Sequence, residues 1–95
     1  MAKVALVTGG TRGIGRAITE RLAKDGFKVA ANFAGNEEAA KMCGQELGVS
    51  CYKWDVGDYD ACAAGIAQIS KELGPVDVLV NNAGITRDML AMRLK

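Results

Sequence analysis

The sequence predicts a doubly wound α/β fold, in which helices cover both faces of a parallel sheet. Four short apolar runs of strand length alternate with three longer stretches whose apolar residues recur at helical spacing. Each helical stretch is followed by a glycine, the residue that most often ends a helix. Because the order is βαβαβαβ, successive strands are joined by helical crossovers, and such crossovers are right-handed and make the strands parallel.

The first strand and the first helix flank a glycine-rich turn. The strand is predicted over Lys3 to Val7, and the helix begins at Ile14 and stops at Gly26. A second strand follows over Lys28 to Phe33. The apolar stripe of the first helix consists of Ile14, Ala17, Ile18 and Leu22.

A capping residue marks the start of the second helix. Asn36 is the predicted N-cap, and Glu37 and Glu38 follow in the first turn, where the helix dipole favours negative charge. This helix ends at Gly48, and the third strand is predicted over Ser50 to Trp54.

The third helix has a similar start. Asp58 is its predicted N-cap, and Gly74 and Pro75 stop it before a fourth strand over Val76 to Val80. No internal repeat, low-complexity segment or linker interrupts this alternation. We therefore expect residues 1–95 to belong to a single domain.

Composition argues against several functional classes. With 95 residues the chain is at most one small domain, and 49% apolar residues are enough for a packed core. The net charge is +1 and the basic residues are spread along the chain, so nucleic acid is not expected as a partner. No apolar run reaches the length of a membrane span, and no leader precedes the first strand. We expect no membrane partner and a cytoplasmic location.

Cysteine and histidine usage gives no metal signature. Cys43, Cys51 and Cys62 lack CxxC spacing and are predicted to be reduced thiols, mostly in the core. Histidine, the commonest acid–base group and metal ligand, is absent from the sequence. Asp55 has the chemistry of a general base or metal ligand, but no second acid lies at ligand spacing, and no metal is predicted. Trp54 is expected to fill space between the sheet and the helices.

The stretch VTGGTRGIG, Val7 to Gly15, places glycines between a strand and a helix. Free backbone N–H groups and the helix dipole both favour an anion at such a turn. Gly9 permits the tight turn, Gly13 lets the backbone approach a pyrophosphate, and Gly15 lets the helix pack closely on the strand. The stretch therefore predicts a phosphate site.

Two other phosphate-binding turns differ from this one. A Walker A loop needs Lys and Ser or Thr where this sequence has Arg16 and Ala17, which excludes a nucleoside triphosphatase. The common dinucleotide fingerprint is GxGxxG, whereas Gly9, Gly13 and Gly15 have the spacing GxxxGxG. Glycines used only for a tight turn are the structural alternative.

Three segments resemble motifs of the short-chain dehydrogenases/reductases. Thr8 to Gly15 resembles the family's TGxxxGIG turn, Asn81 to Gly84 its NNAG motif, and Asp55-Val56 its adenine-contacting dipeptide. Each lies at the carboxyl end of a predicted strand, where open α/β sheets bind ligands. The resemblance covers all 95 residues, but only the N-terminal part of a family whose members are much longer. It implies that residues 1–95 are the N-terminal part of a single Rossmann-fold dinucleotide-binding domain.

The resemblance also implies a nicotinamide cofactor, and two features favour NADP(H). The second strand ends without the acid that would repel a 2′-phosphate, and the first acid beyond it is Glu37 in the next helix. Arg12 resembles the family's basic residue that pairs with this phosphate, and a solvated turn residue is the alternative. The implied cofactor contacts are Gly9, Thr11, Arg12, Gly13, Ile14, Gly15, Ala34, Asp55, Val56, Asn82, Ala83, Gly84, Ile85 and Thr86.

The family's catalytic residues, a Ser and a Tyr-x-x-x-Lys pair, are not matched in this chain. Val56 lies four residues after Tyr52, and Ala63 lies four after Tyr59, so neither tyrosine begins the motif. Both tyrosines are instead predicted to be partly buried packing residues. The resemblance implies that the catalytic Ser and Tyr-x-x-x-Lys lie beyond Lys95, and the 95-residue chain alone is expected to be inactive.

Segments outside the cofactor motifs resemble two groups of 3-oxoacyl thioester reductases within the family. RLAKDGFKVAANFAGNEEAAK and YKWDVGDYDAC resemble the reductases that convert acetoacetyl-CoA into 3-hydroxybutyryl-CoA for polyhydroxybutyrate synthesis. The tail GITRDMLAMRLK resembles the reductases that act on thioesters of acyl carrier protein in fatty acid synthesis. The resemblance favours acetoacetyl-CoA and leaves the carrier-protein thioester as the alternative. The resemblance also places Asp88 beside the substrate. The other interpretation is that Asp88 is an acid at the N-terminus of a helix, where the helix dipole favours it.

The complete protein is expected to assemble through surfaces that lie mostly beyond these residues. Reductases of this family are usually homotetramers, so the resemblance implies a homotetramer. A non-catalytic nucleotide-binding module is the alternative from another functional class. The apolar segment Met89 to Leu94 is suited to core, substrate-flap or subunit contacts, and the sequence does not distinguish among them.

Overall fold

Residues 3–82 are described by the computed structural model, and they form one parallel sheet with three helices. The strands are β1 (Val4–Thr8), β2 (Lys28–Phe33), β3 (Ser50–Lys53) and β4 (Val76–Asn81). The helices are α1 (Gly13–Lys24), α2 (Glu37–Leu47) and α3 (Tyr59–Glu72). All neighbouring strands are parallel in the order β3-β2-β1-β4, which confirms the predicted doubly wound α/β fold.

The main core lies between the sheet and α3. Trp54 packs directly on this helix, because a Cβ added at Gly65 would lie 2.4 Å from Cε3 of the indole. The indole N–H donates to Sγ of Cys62 at 3.2 Å, so the ring is both buried and hydrogen-bonded. The predicted packing role of Trp54 is confirmed. The buried members of this core are Val4, Leu6, Ala30, Tyr52, Trp54, Cys62, Ile69 and Val76.

The opposite face of the sheet is covered by α1 and α2. Side chains alternate along a strand, so Ala5 and Val7 point away from α3, and both are fully buried. On this side α1 contacts β1 and β2, and α2 contacts β3. Both faces of β1 are therefore removed from water, as expected for a central parallel strand.

Local sequence signals set the element boundaries. Oδ1 of Asn36 accepts from the Ala39 N–H at 3.0 Å, and Oδ1 of Asp58 accepts from the Ala61 N–H at 3.1 Å. Both predicted N-caps are confirmed. The strand boundaries differ from the predicted ones by no more than one residue, and α1 begins at Gly13, one residue before the predicted start.

The apolar stripe predicted for α1 is wrong in its first turns. Ile14 is 75% exposed and Ala17 is exposed, whereas the buried residues of this helix are Gly15 and Thr19. Thr19 Oγ1 donates to the carbonyl of Gly10 at 3.0 Å. The glycine turn lies close against α1, and the helix faces it with Gly15 and with the hydrogen-bonded hydroxyl of Thr19. The buried side of α1 is therefore rotated relative to the predicted apolar stripe.

The three cysteines are free thiols, and they lie where the sequence predicts. Cys43 and Cys62 are buried, and Cys51 is half-buried. Burial raises the pKa of each thiol, to about 11 for Cys51. Since the thiolate is the reactive form, these side chains are structural rather than nucleophilic at neutral pH.

The two tyrosines have different environments. Tyr52 is buried, and its hydroxyl donates to Oε1 of Glu72 at 2.6 Å, so its predicted packing role is confirmed. Tyr59 is the first residue of α3 and is 52% exposed, so for this residue the packing prediction is wrong. Burial and the hydrogen bond to Glu72 raise the pKa of Tyr52 to about 12, and the same bond lowers the pKa of Glu72.

Replacing Tyr52 by phenylalanine in the full-length protein is expected to lower the melting temperature by about 2–4 °C, because a hydrogen bond to a carboxylate is lost. Because the pKa of Glu72 is lower in the folded protein than in the unfolded chain, its carboxylate stabilises the fold fully at pH values above the unfolded-state pKa. This stabilisation is lost as the pH falls through the folded-state pKa. The difference between wild type and variant should therefore shrink in acid, as measured by thermal melts across pH. Tyr59→Phe is the matched control and should not change the melting temperature. A pH-independent difference would contradict the role of this hydrogen bond.

Candidate functional site

A groove of about 860 Å³ lies at the carboxyl ends of the strands. The loops after β1, β2 and β3 and the end of β4 all contribute to it, as expected for the ligand-binding edge of an open α/β sheet. Its lining residues are Gly9, Thr11, Arg12, Gly13, Asn32, Phe33, Ala34, Gly35, Asn36, Asp55, Val56 and Asn82.

The glycine turn is held on both sides by asparagine side chains. Gly9 has a φ of +61°, a conformation that glycine adopts at little cost. Its N–H donates to Oδ1 of Asn32, and its carbonyl accepts from Nδ2 of Asn82, both at 3.2 Å. A Cβ added at Gly15 would lie 2.0 Å from the Gly9 carbonyl oxygen, so α1 can begin here only if residue 15 is glycine.

The N-terminus of α1 differs from those of the other two described helices. Its N-cap, Arg12, makes no side-chain cap hydrogen bond, and its first turn contains no acid. In α2 and α3 a side chain caps the helix, and acids occupy the first turn. The first N–H groups of a helix have no partner within it and carry partial positive charge. The start of α1 is therefore suited to an external anion.

Gly13 leaves the backbone accessible at this helix start. A Cβ added there would meet no atom within 4 Å, and the residue has a φ of +59°. Gly13 is also one of the residues that line the groove. A ligand group can approach the backbone here without contacting a side chain.

Charges around the groove favour an anion near Arg12. Arg12 and Asp55 are the charged residues among the described lining. The guanidinium of Arg16, one turn further along α1, is hydrogen-bonded to Glu46 of α2, and this bond raises the pKa of Arg16. Within residues 3–82, Arg12 forms no such ion pair. Its guanidinium is available to a ligand.

The first acid after β2 is paired outside the groove. Glu37 accepts a hydrogen bond from Nζ of Lys53, and this bond lowers the pKa of Glu37. Glu37 lines a separate cavity between α2 and β3 and is not among the groove residues. The groove wall at the end of β2 consists instead of the uncharged residues Phe33, Ala34, Gly35 and Asn36.

The loop after β3 is shaped by Asp55. Its carboxylate accepts from the Gly57 N–H at 2.8 Å, and its carbonyl accepts from the Asp58 N–H at 3.0 Å. Asp55 is exposed and lines the groove together with Val56. Within residues 3–82, no three potential metal-ligating side chains form a group able to hold a metal ion.

The structure brings most of the described candidate residues together. Eight of them line the groove: Gly9, Thr11, Arg12, Gly13, Ala34, Asp55, Val56 and Asn82. Ile14 projects into solvent, and Gly15 is buried beneath the turn, so neither lines it.

The other predictions fall on residues that the structure does not describe. The remaining cofactor and substrate candidates outside the described residues are Ala83, Gly84, Ile85, Thr86 and Asp88. The segment Met89 to Leu94 and Lys95 also lie outside them. The expectation that the catalytic Ser and Tyr-x-x-x-Lys follow Lys95 therefore stays a prediction.

Sequence reasoning missed Asn32. This residue is 2% exposed, and its side chain joins two of the loops that form the groove. The available signal was an amide inside the otherwise apolar strand KVAANF, because a buried amide requires partners.

In the part of the chain from residue 3 to residue 82, no helix has the length and apolarity needed to cross a membrane.

Comparison with known proteins gives a consistent result. A family model described as short chain dehydrogenase matches residues 3–95. The chain is 64% identical over 90 residues to an acetoacetyl-CoA reductase of Paracoccus denitrificans, covering 95% of this chain and 37% of that protein. It is 48% identical over 100 residues to the 3-oxoacyl-(acyl-carrier-protein) reductase FabG of Staphylococcus aureus strain Mu50, covering all of this chain and 41% of that protein.

A solved structure shows the same fold. Actinorhodin polyketide ketoreductase, crystallised as a point variant with NADPH, superposes with a TM-score of 0.77 and 42% sequence identity. The superposition covers 87% of this chain and 33% of the ketoreductase. The chain thus spans well under half the length of each of these relatives.

Proposed function

Because the chain belongs to the short-chain dehydrogenase family, we propose that it is the cofactor-binding part of an NADPH-dependent reductase of 3-oxoacyl thioesters. The proposal assigns residues 1–95 to the N-terminal part of one Rossmann-fold domain. The catalytic Ser and Tyr-x-x-x-Lys then lie beyond Lys95 in the longer protein, and the 95-residue chain alone is inactive. The complete protein is a cytoplasmic homotetramer in this proposal.

The observation that carries the proposal is the uncapped N-terminus of α1 opening into the groove. Free N–H groups and the helix dipole favour a diphosphate at this place. Arg12 lies beside it, and the wall after β2 has no carboxylate to repel a 2′-phosphate. These features favour NADP(H) over NAD(H), and the ketoreductase with NADPH supports the same choice.

Each part of the groove has a proposed role toward the dinucleotide. The backbone from Thr11 to Gly15 holds the diphosphate, and the Arg12 guanidinium holds the 2′-phosphate. Asp55 and Val56 contact the adenine, beside Ala34. Asn82, together with residues 83–86, orients the ribose and the nicotinamide. When bound, the cofactor supplies a hydride, and the contribution of these residues is to fix its position.

Acetoacetyl-CoA is the proposed substrate, with 3-hydroxybutyryl-CoA as the product for polyhydroxybutyrate synthesis. The higher identity to the Paracoccus acetoacetyl-CoA reductase supports this choice, and the similarity to FabG keeps the thioester of acyl carrier protein as the alternative. Asp88 is proposed to lie beside the thioester.

The test is a steady-state assay of the full-length protein with NADPH. Acetoacetyl-CoA and acetoacetyl-(acyl carrier protein) are compared by kcat/KM, and we expect the coenzyme A thioester to be preferred. A preference for the carrier-protein thioester would assign the alternative substrate. NADPH binding without turnover of either thioester would instead indicate a non-catalytic nucleotide-binding module.

A further inference from the structure

We propose that Asn32 is a positioning residue for the cofactor. Its side chain fixes the position of the diphosphate end of the groove relative to the adenine end. This inference rests on the proposed function, because it takes the groove to be a dinucleotide site. It concerns a residue of β2 whose polar side-chain atoms bind the protein backbone.

The side chain of Asn32 joins two loops from opposite sides of its own strand. Oδ1 accepts from the N–H of Gly9 at 3.2 Å, in the turn after β1. Nδ2 donates to the carbonyl of Trp54 at 2.9 Å, at the end of β3. The backbone carbonyl of Asn32 also accepts from the Gly10 N–H at 3.0 Å. One residue thus contacts two successive peptides of the glycine turn and the residue that precedes Asp55.

These contacts determine where the two ends of the groove lie relative to each other. The N–H of Gly9 is bound by Asn32 and its carbonyl by Asn82, so the two peptide groups that flank this residue are held from both neighbouring strands. The Trp54 carbonyl is fixed by the same amide, and the next residue, Asp55, lines the groove. An apolar side chain at position 32 would leave the Gly9 N–H and the Trp54 carbonyl without these partners, which forces the loops to move.

The proposal predicts a loss of cofactor affinity that does not depend on the 2′-phosphate. Asn32 is 2% exposed and both polar groups of its amide are already bound, so it does not select between NADPH and NADH. A displaced turn weakens the diphosphate contacts that both cofactors share. Once cofactor is saturating, the hydride transfer step should be unaffected, because no group that touches the thioester has changed.

The experiment uses the full-length protein with Asn32→Leu, which keeps the branching at Cγ, is somewhat larger, and removes both hydrogen bonds. We expect the KM and the Kd for NADPH and for NADH to rise together by about tenfold, with kcat close to wild type. Asn32→Ser, which admits water to the same backbone groups, should give a smaller increase. Ile69→Val, a buried change in the core against α3, is the control for a general loss of stability and should leave both KM values unchanged.

Different failures identify different errors. If the wild-type protein binds neither cofactor, the proposed function is wrong. If it binds both, and folded Asn32→Leu binds them equally well, only the role of Asn32 is wrong. A lower kcat with unchanged KM would indicate a reduced active fraction and would also overturn the positioning role. If neither Asn32 variant folds even with excess NADPH, the residue serves global stability and the inference fails.

Discussion

Replacing Gly13 by valine is expected to raise the KM for NADPH by roughly a hundredfold, because charge-assisted hydrogen bonds from the backbone to the diphosphate would be lost. A Cβ at this position points into open space, so the added side chain would occupy volume beside the groove without clashing with the protein. Steady-state kinetics and NADPH fluorescence titration of the full-length protein measure the effect.

Backbone strain must be separated from this loss of binding. Gly13 has a φ of +59°, where a residue with a Cβ costs about 1–2 kcal/mol in the native state. Gly48, the C-cap of α2, is a matched control, since its φ is +67° and its surroundings are equally open. Gly48→Val should lose similar stability and bind NADPH normally. If the two variants bind NADPH equally well, the diphosphate does not lie at the start of α1.

Arg12→Ala is expected to lower kcat/KM for NADPH by about ten- to a hundredfold while leaving NADH nearly unchanged. Arg12 lines the groove and its guanidinium forms no ion pair within residues 3–82, so its removal leaves no charged partner unpaired there. Arg16→Ala removes a like charge from the same helix, where the guanidinium is bound to Glu46. This control should not alter the ratio of NADPH to NADH.

Phe33→Asp should shift the cofactor ratio in the same direction as Arg12→Ala. Phe33 lies on the groove wall after β2, where a carboxylate would repel the 2′-phosphate. Because both changes act on one phosphate, their combined effect should be less than additive. Equal losses for NADPH and NADH in Arg12→Ala would show that Arg12 only shapes the turn.

The predicted fold agrees closely with the structure because its signals are local. The strand runs, the positions of the helices and the caps at Asn36 and Asp58 each depend on a few neighbouring residues, and the sequence predicts all of them. The main errors concern which side of an element is buried. Ile14 is exposed because Gly15, rather than an apolar side chain, packs beneath the turn, and Tyr59 is exposed at the start of α3.

The sequence by itself determined the order of elements, the parallel sheet and the place of the glycine turn, since periodicity and glycine spacing are properties of short segments. Only the tertiary structure decided which side-chain hydrogen bonds connect the loops at the carboxyl ends of the strands. Asn32 lies 23 residues from Gly9 and 22 from Trp54, and Arg16 lies 30 residues from Glu46. Such contacts depend on strand register and helix packing, which join residues that no local pattern relates.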